Sequence, residues 1–272
     1  MSFMKLSIPF IPDKKYAIFL KKDIRKIESV YFPIGAGPVL DSRNRFKKTS
    51  MDLLSQELQI LTPVKKYCLL NTRFVHPDLY HDARFLNKTL DKLDFLASHA
   101  DLGGIVFSDA YLLNALSATK RKIISSLEAV PGINCMIDSP QKAFAFFELI
   151  EQTGFKPPGK IVLDRSLNRN INQLKKICTA IKKNYPHIKI ELLANEGCIN
   201  LCPFKLAHDS QISFSNTWLT SNTPMAKDKN FTTNRKLGCH AYFFKTPEKF
   251  LKSPFIRPED INKYTGMVDT IK

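Results

Sequence analysis

Three cysteines carry the strongest chemical signal in this chain. Cys198 and Cys202 stand in "NEGCINLCPFKLAHD", directly after an apolar run, and Cys239 returns later in "KLGCHAYFF". Thiolates bind zinc and iron–sulfur clusters because both accept soft donors. The C-x3-C spacing is neither the two-residue knuckle of structural zinc nor the redox C-x-x-C. It matches the start of the C-x3-C-x2-C motif of radical enzymes, but the third position of that motif is Lys205, so that reading fails. A metal site, a redox pair and inert core thiols all stay open on spacing alone. Cys68 and Cys178 fall inside a predicted strand and a predicted helix, as small buried hydrophobes do. Cys135, in "GINCMIDS", follows a predicted strand and is the candidate fourth ligand.

Polar residues that follow apolar strand runs form a second group. Glu196 stands beside Cys198 as a candidate base or partner to a metal ligand, with a loop hydrogen bond as its structural alternative. Asp109 and Asp164 end two strands as candidate catalytic carboxylates, and each is also suited to cap the helix after it. Asn71, Arg43 and Arg45 are candidate substrate-binding residues, the arginines in "DSRNRF" for an anion. His208 and Asp209 follow the second cysteine and read as structural. Arg257, Glu259 and Asp260 in "IRPED" read as a helix start, with Pro258 in the first turn. The chain shows no G-x-S-x-G elbow, no H-E-x-x-H, and no caspase- or papain-like cysteine context.

The elements that must position these residues alternate. Strands are expected at "SIPF", "ESVYFPIG", "YCLLNTR", "LGGIVFSD", "IISSLEA", "GKIVLDRSL", "IKIELLANE" and "VDTIK". Amphipathic helices fill most of the gaps, among them "ARFLNKTLDKLDFLASHA" and "SPQKAFAFFELIEQTG". Eight βα-type units in 272 residues predict a single (β/α)8 TIM-barrel-like domain over residues 1–272. An open doubly wound sheet would need a glycine-rich phosphate turn. "PIGAGP" lacks the third glycine and reads as a loop. Residues of about 195–245 form a long cysteine-bearing excursion, polar and turn-rich from Ser210 to Lys236. No helix follows the eighth strand, so the expectation is either a barrel left open on one side, which a partner subunit could complete, or a chain shorter than its relatives.

The composition, 44% hydrophobic and 24% charged, is that of a folded globular chain. No apolar run is long enough to span a bilayer, and "MSFMKLSIPF" is too short for a signal-peptide core, so a cytoplasmic location is expected. Six unevenly spaced cysteines do not read as a disulfide scaffold. The net charge of +16 invites an anionic partner, RNA or a small molecule. The lysines are nevertheless spread over many helix faces, as on an ordinary solvated basic surface, and no RNP-type or zinc-finger motif sharpens the signal.

"NEGCINLCPFKLAH", the later "GCHAYFF" and "KSPFIRPEDINKY" together resemble the peptidase U32 family of collagenase-like proteins. "LLN" at Leu69 to Asn71, "VFSD" at Val106 to Asp109 and "IVLDRSLNR" at Ile161 to Arg169 fit the same pattern. The resemblance implies a (β/α)8-like barrel. In the better understood relatives a 4Fe-4S cluster sits on four cysteines and serves oxygen-independent hydroxylation of ubiquinone precursors or RNA bases. Cys198, Cys202 and Cys239 match family cysteine positions, and a fourth is not evident. Zinc is the alternative metal. A peptidase, which the family name implies, and a non-catalytic RNA-binding or assembly protein with a structural metal clasp are the alternative functions.

Overall fold

The computed structural model describes residues 4–34, 40–41, 49–218 and 232–272. Its eight strands are β1 (Lys5–Pro9), β2 (Ile27–Pro33), β3 (Lys65–Leu70), β4 (Leu102–Phe107), β5 (Glu128–Pro131), β6 (Lys160–Val162), β7 (Lys189–Leu192) and β8 (Thr270–Ile271). They form one sheet in the order β5-β4-β3-β2-β1-β8-β7-β6, and every pairing is parallel. The two end strands approach each other and close the sheet into a nearly complete barrel. Among the described residues, an isolated bridge between Glu128 of β5 and Lys156, just before β6, joins the two ends through the backbone. Glu128 staples that seam, accepting from Lys65 Nζ at 3.0 Å, Tyr67 OH at 2.9 Å and the Gly159 N–H at 2.9 Å.

Helices α1 (Lys14–Lys22), α2 (Met51–Gln59), α3 (Ala83–Ala100), α4 (Ala110–Ala118), α5 (Pro140–Glu151) and α6 (Ile171–Asn184) lie in the gaps between strands. Each begins where the sequence supplies a capping side chain: Asp13, Ser50, Asp82, Asp109, Ser139 and Asn170 accept from first-turn N–H groups. Strand alternation divides the core. Cys68 and Leu70 of β3 pack outward with the helices, while Tyr67 and Leu69 point inward with Tyr31, Val106 and Val162. No helix among the described residues is long and apolar enough to cross a membrane.

Two expectations are corrected. "IISSLEA" is not a strand: Lys122–Ser126 is a 3-10 turn, and β5 begins only at Glu128. Ser125 and Ser126 donate back to the carbonyls of Lys122 and Ile123, which favours the turn over a ladder. The start of the expected irregular stretch is also helical. Helix α7 (Lys205–Trp218) runs through it, residues 232–237 are helical, and α8 (Cys239–Lys245) follows. The inner face of α7 is polar, so it gives no apolar period. Ser213 Oγ lies 3.0 Å from Thr72 Oγ1 and accepts from the Arg73 N–H, and Asn216 donates to the Asp41 carbonyl. Tertiary hydrogen bonds here outweigh local propensity. Most of "PIGAGP" lies outside the described residues.

Candidate functional site

Because all eight strands run the same way, Asn71, Asp109, Asp164 and Glu196 stand at one end of the barrel, just beyond β3, β4, β6 and β7. A cavity of about 800 Å³ opens there, between the strand ends and helices α7 and α8. Cys198, Cys202 and Cys239 all line it. Glu196 and Asn71 line it too, whereas Asp109, Asp164 and Cys135 are not among its lining residues.

Asp109 and Asp164 serve as caps. Asp109 accepts from the N–H groups of Tyr111 and Leu112 and from the Tyr80 hydroxyl at 2.7 Å, and burial raises its carboxyl above the ordinary value. Asp164 accepts from the Ser166 N–H at 2.8 Å. Cys135 lies beneath the strand ends, its thiol 3.5 Å from the Phe107 carbonyl and pushed up to about 12 by burial. Cys68 and Cys178 are buried in the outer core, as expected of inert thiols. Arg257 pairs with Asp260 at 2.7 Å as a 3-10 turn begins at Pro258. Arg43 and Arg45 lie outside the described residues.

The site is held by charge pairs that join distant segments. Arg165, just past β6, reaches the loop after β7. One of its terminal nitrogens lies 2.6 Å from the Glu196 carboxylate and 3.5 Å from the Cys198 sulfur. Glu196 in turn accepts from the Cys198 N–H at 2.8 Å, which fixes the turn that presents the thiol. Burial first, and Glu196 second, push the Cys198 thiol up to about 12, against the pull of Arg165. Burial also raises the Cys239 thiol, and proximity to Cys202 adds to that. Asp209 on α7 pairs with Lys205 one turn away and with Arg73 Nε at 2.9 Å, clamping α7 to the end of β3. Burial, then the charge of Arg165, depress the Lys205 ammonium pKa below its usual value. Burial likewise lowers His208 below the usual imidazole value, leaving it neutral at physiological pH.

The cavity floor continues this pattern. Lys272 lies on it, with its ammonium 3.6 Å from the Tyr31 ring centroid and 4.0 Å from Glu191. Below that, Lys160 and Glu191 form a buried pair inside the barrel at 2.8 Å, with Ser29 also accepting from Lys160. Phe243, Phe244 and Phe250 line the cavity too. Cationic groups, thiols and aromatic rings in one cavity suit an anionic ligand with a planar portion. Among the described residues, no three His, Cys, Asp or Glu side chains form a group that could hold a metal ion. Sequence reasoning missed Arg165, Lys205 and Lys272. Arg165 alone carried a signal, since it directly follows the strand-end Asp164.

No family model matches the chain. A stretch of 168 residues, 62% of the chain, is 30% identical to a Methanocaldococcus jannaschii protein named as an uncharacterized protease, MJ1657. The match spans 43% of that relative, so the chain covers under half the length of the curated protein it matches. The solved structure of the U32 peptidase Mk0906 superposes with a TM-score of 0.58 at 16% identity, covering 84% of this chain and 85% of that one. The second likeness is one of fold. The first is a partial likeness to a protein named as a protease, and neither fixes the family of this chain.

Proposed function

We propose that this chain is a U32-like barrel acting in oxygen-independent hydroxylation of an anionic substrate, an RNA base or a quinone precursor. In this reading Cys198, Cys202 and Cys239 hold a 4Fe-4S cluster. The observation that carries the proposal is that these three cysteines, from the loop after β7, the approach to α7 and the start of α8, line one cavity. Cysteine thiols are the donor type an iron–sulfur centre takes, but as they stand these three do not form a group that could hold a metal ion, so binding would have to draw them together. A coordinating thiol must lose its proton, so the raised thiol of Cys198 opposes binding at neutral pH, and binding there would release a proton. Such a group supplies one-electron transfer when bound. The chain's own residues do the rest. Arg165, Lys205 and Lys272 attract and orient an anion. Neutral His208 can accept a proton. The phenylalanines offer faces for a planar ring to pack on.

The test begins with anaerobic purification. Brown protein containing iron, with most of it lost in Cys198→Ala and Cys202→Ala, supports the reading. Colourless protein with stoichiometric zinc supports the clasp instead, and metal-free protein with unchanged stability after both substitutions leaves inert thiols. Modified nucleosides and quinones from anaerobic cells with and without the gene then identify the substrate.

Peptide hydrolysis is the second reading, favoured by the protease name of the M. jannaschii relative. A thiol pushed up to about 12 is almost wholly protonated at neutral pH, and a cysteine nucleophile needs a lowered value. Peptide cleavage by metal-free protein, lost in Cys198→Ala, would establish this reading against the first.

A further inference from the structure

Large apolar side chains crowd the surface around the cavity mouth. Leu201, Phe244, Phe250 and Leu251 are each between 56% and 79% exposed. Contacts tie the segments that carry them together. Phe243 of α8 meets Phe250 of the 3-10 turn Pro247–Lys252 edge to face, with ring centroids 5.7 Å apart. The loop that carries Leu201 lies across a small cleft from them, with Ile199, Asn200 and Pro203 on one side and Tyr242, Lys249 and Lys252 on the other. Phe244 and Phe250 also line the thiol cavity, so this face forms part of its rim. The charge here is positive. Lys245, Lys249 and Lys252 each adjoin one of the exposed apolar residues in sequence, and Glu248 is the sole acidic residue from Cys239 to Ser253. An exposed apolar patch among charged residues marks a surface built to meet something.

We propose that this face docks on an anionic lipid bilayer, with Leu201, Phe244, Phe250 and Leu251 at the acyl boundary and the three lysines among the headgroups. The match is one of depth as well as charge. A lysine lays its stem along apolar surface and keeps its ammonium in the polar layer, so lysines that alternate with apolar residues are all satisfied at a lipid interface. Negative headgroups then complement the basic charge. Two other occupants fit less well. The core of a protein interface is depleted in lysine, whereas lysines are interleaved with the apolar residues here. A single-stranded nucleic acid stacks on ring faces and would leave Leu201 and Leu251 in water. No helix among the described residues can cross a membrane, so the chain would lie on the bilayer. Docking would set the rim of the thiol cavity against lipid and let a bilayer-soluble substrate enter without crossing water. That consequence rests on the proposed function, whereas docking itself does not.

The experiment floats the full chain as purified with vesicles of phosphatidylcholine alone, or with about one-third phosphatidylserine. The chain should float with the anionic vesicles and not with the neutral ones, and less as salt rises. Lys249→Ala with Lys252→Ala should weaken binding roughly 25-fold, at about fivefold for each charge lost. Leu201→Ser with Leu251→Ser should weaken it roughly tenfold, and neither leucine lines the thiol cavity. Ile18→Ser with Phe19→Ser, a control on the exposed side of α1, should leave it unchanged. An unchanged melting temperature in these variants excludes misfolding as the cause. Absence of flotation overturns the proposal. So does equal flotation with neutral vesicles, or an equal loss in all three double variants. A dimer in sedimentation that Leu201→Ser with Leu251→Ser abolishes would assign the face to a second copy and overturn it too. Cys198→Ala should float as the wild type does whatever metal it has lost, so failure of the proposed function leaves this result standing.

Discussion

Replacing Lys160 with Met tests the charge architecture beneath the cavity. Lys160 is 4% exposed and Glu191 is fully buried, and the pair is 2.8 Å apart. At an effective dielectric of about 20, charges at this separation attract by about 6 kcal/mol before desolvation is counted. Removing one partner of a buried pair costs roughly 3–5 kcal/mol, because the other is left uncompensated. Lys272 stands 4.0 Å from the same carboxylate and softens the loss, so about 3 kcal/mol is expected. That lowers the melting temperature by roughly 6–12 °C, at about 2–4 °C for each kcal/mol in a chain of this size class. The double variant Lys160→Met with Glu191→Leu should recover most of the loss, since an apolar replacement of a whole pair is often neutral. The pH dependence follows from the carboxylate. Burial alone would raise Glu191, but Lys160 and Lys272 outweigh it and hold the group below its ordinary value. A depressed acid contributes stability above its unfolded pKa and loses it as pH falls through the folded one. Wild-type protein should therefore lose this contribution below about pH 4–5, and Glu191→Gln should lack that component of the acid loss. Urea unfolding across pH 3–8 measures all of this. A single variant costing under about 1 kcal/mol, or a double variant worse than the sum of the singles, would refute the reasoning.

Glu128→Ala should cost about 2–3 kcal/mol by orphaning three donors at the seam, and should speed amide exchange in β6. Gly104→Ala would place a Cβ 2.4 Å from the Glu128 carbonyl oxygen, so the backbone must move; a loss of about 3 kcal/mol, the upper end for overpacking, is expected in the same unfolding assay. Asp209→Asn should leave Arg73 and Lys205 without their shared carboxylate and expose α7 to limited proteolysis while the barrel core stays protected. Asp109→Ala should cost about 1 kcal/mol as a lost helix cap, with metal content unchanged, because Asp109 accepts from the α4 N-terminus and does not line the cavity.

The barrel was legible because its signals are local. Runs such as "LGGIVF" are buried on both faces and read as parallel strands, and each capped helix announces its start within four residues. β5 was misplaced because Ile123 and Ile124 look like strand residues, while the serine hydroxyls that turn the chain are visible only as contacts. Helix α7 was hidden for the opposite reason. Its inner face carries Ser213 and Asn216, whose partners lie in the strand-end loops more than a hundred residues earlier.

The same distinction divides the site. Cysteine is rare and its spacing is conspicuous, so Cys198, Cys202 and Cys239 could be named from the sequence as residues able to converge. Lysine and arginine are common here, 41 in the chain, and nothing local sets Lys205 or Lys272 apart from those on helix surfaces, while Arg165 has only its place after Asp164. Burial sets them apart. Each sits against a carboxylate contributed by β7, the loop after it or α7, and each faces the cavity the thiols line. Burying a cation is costly, and in each case the adjacent carboxylate offsets the cost. Most of the net charge of +16 is therefore solvated surface, while these three cations line the cavity.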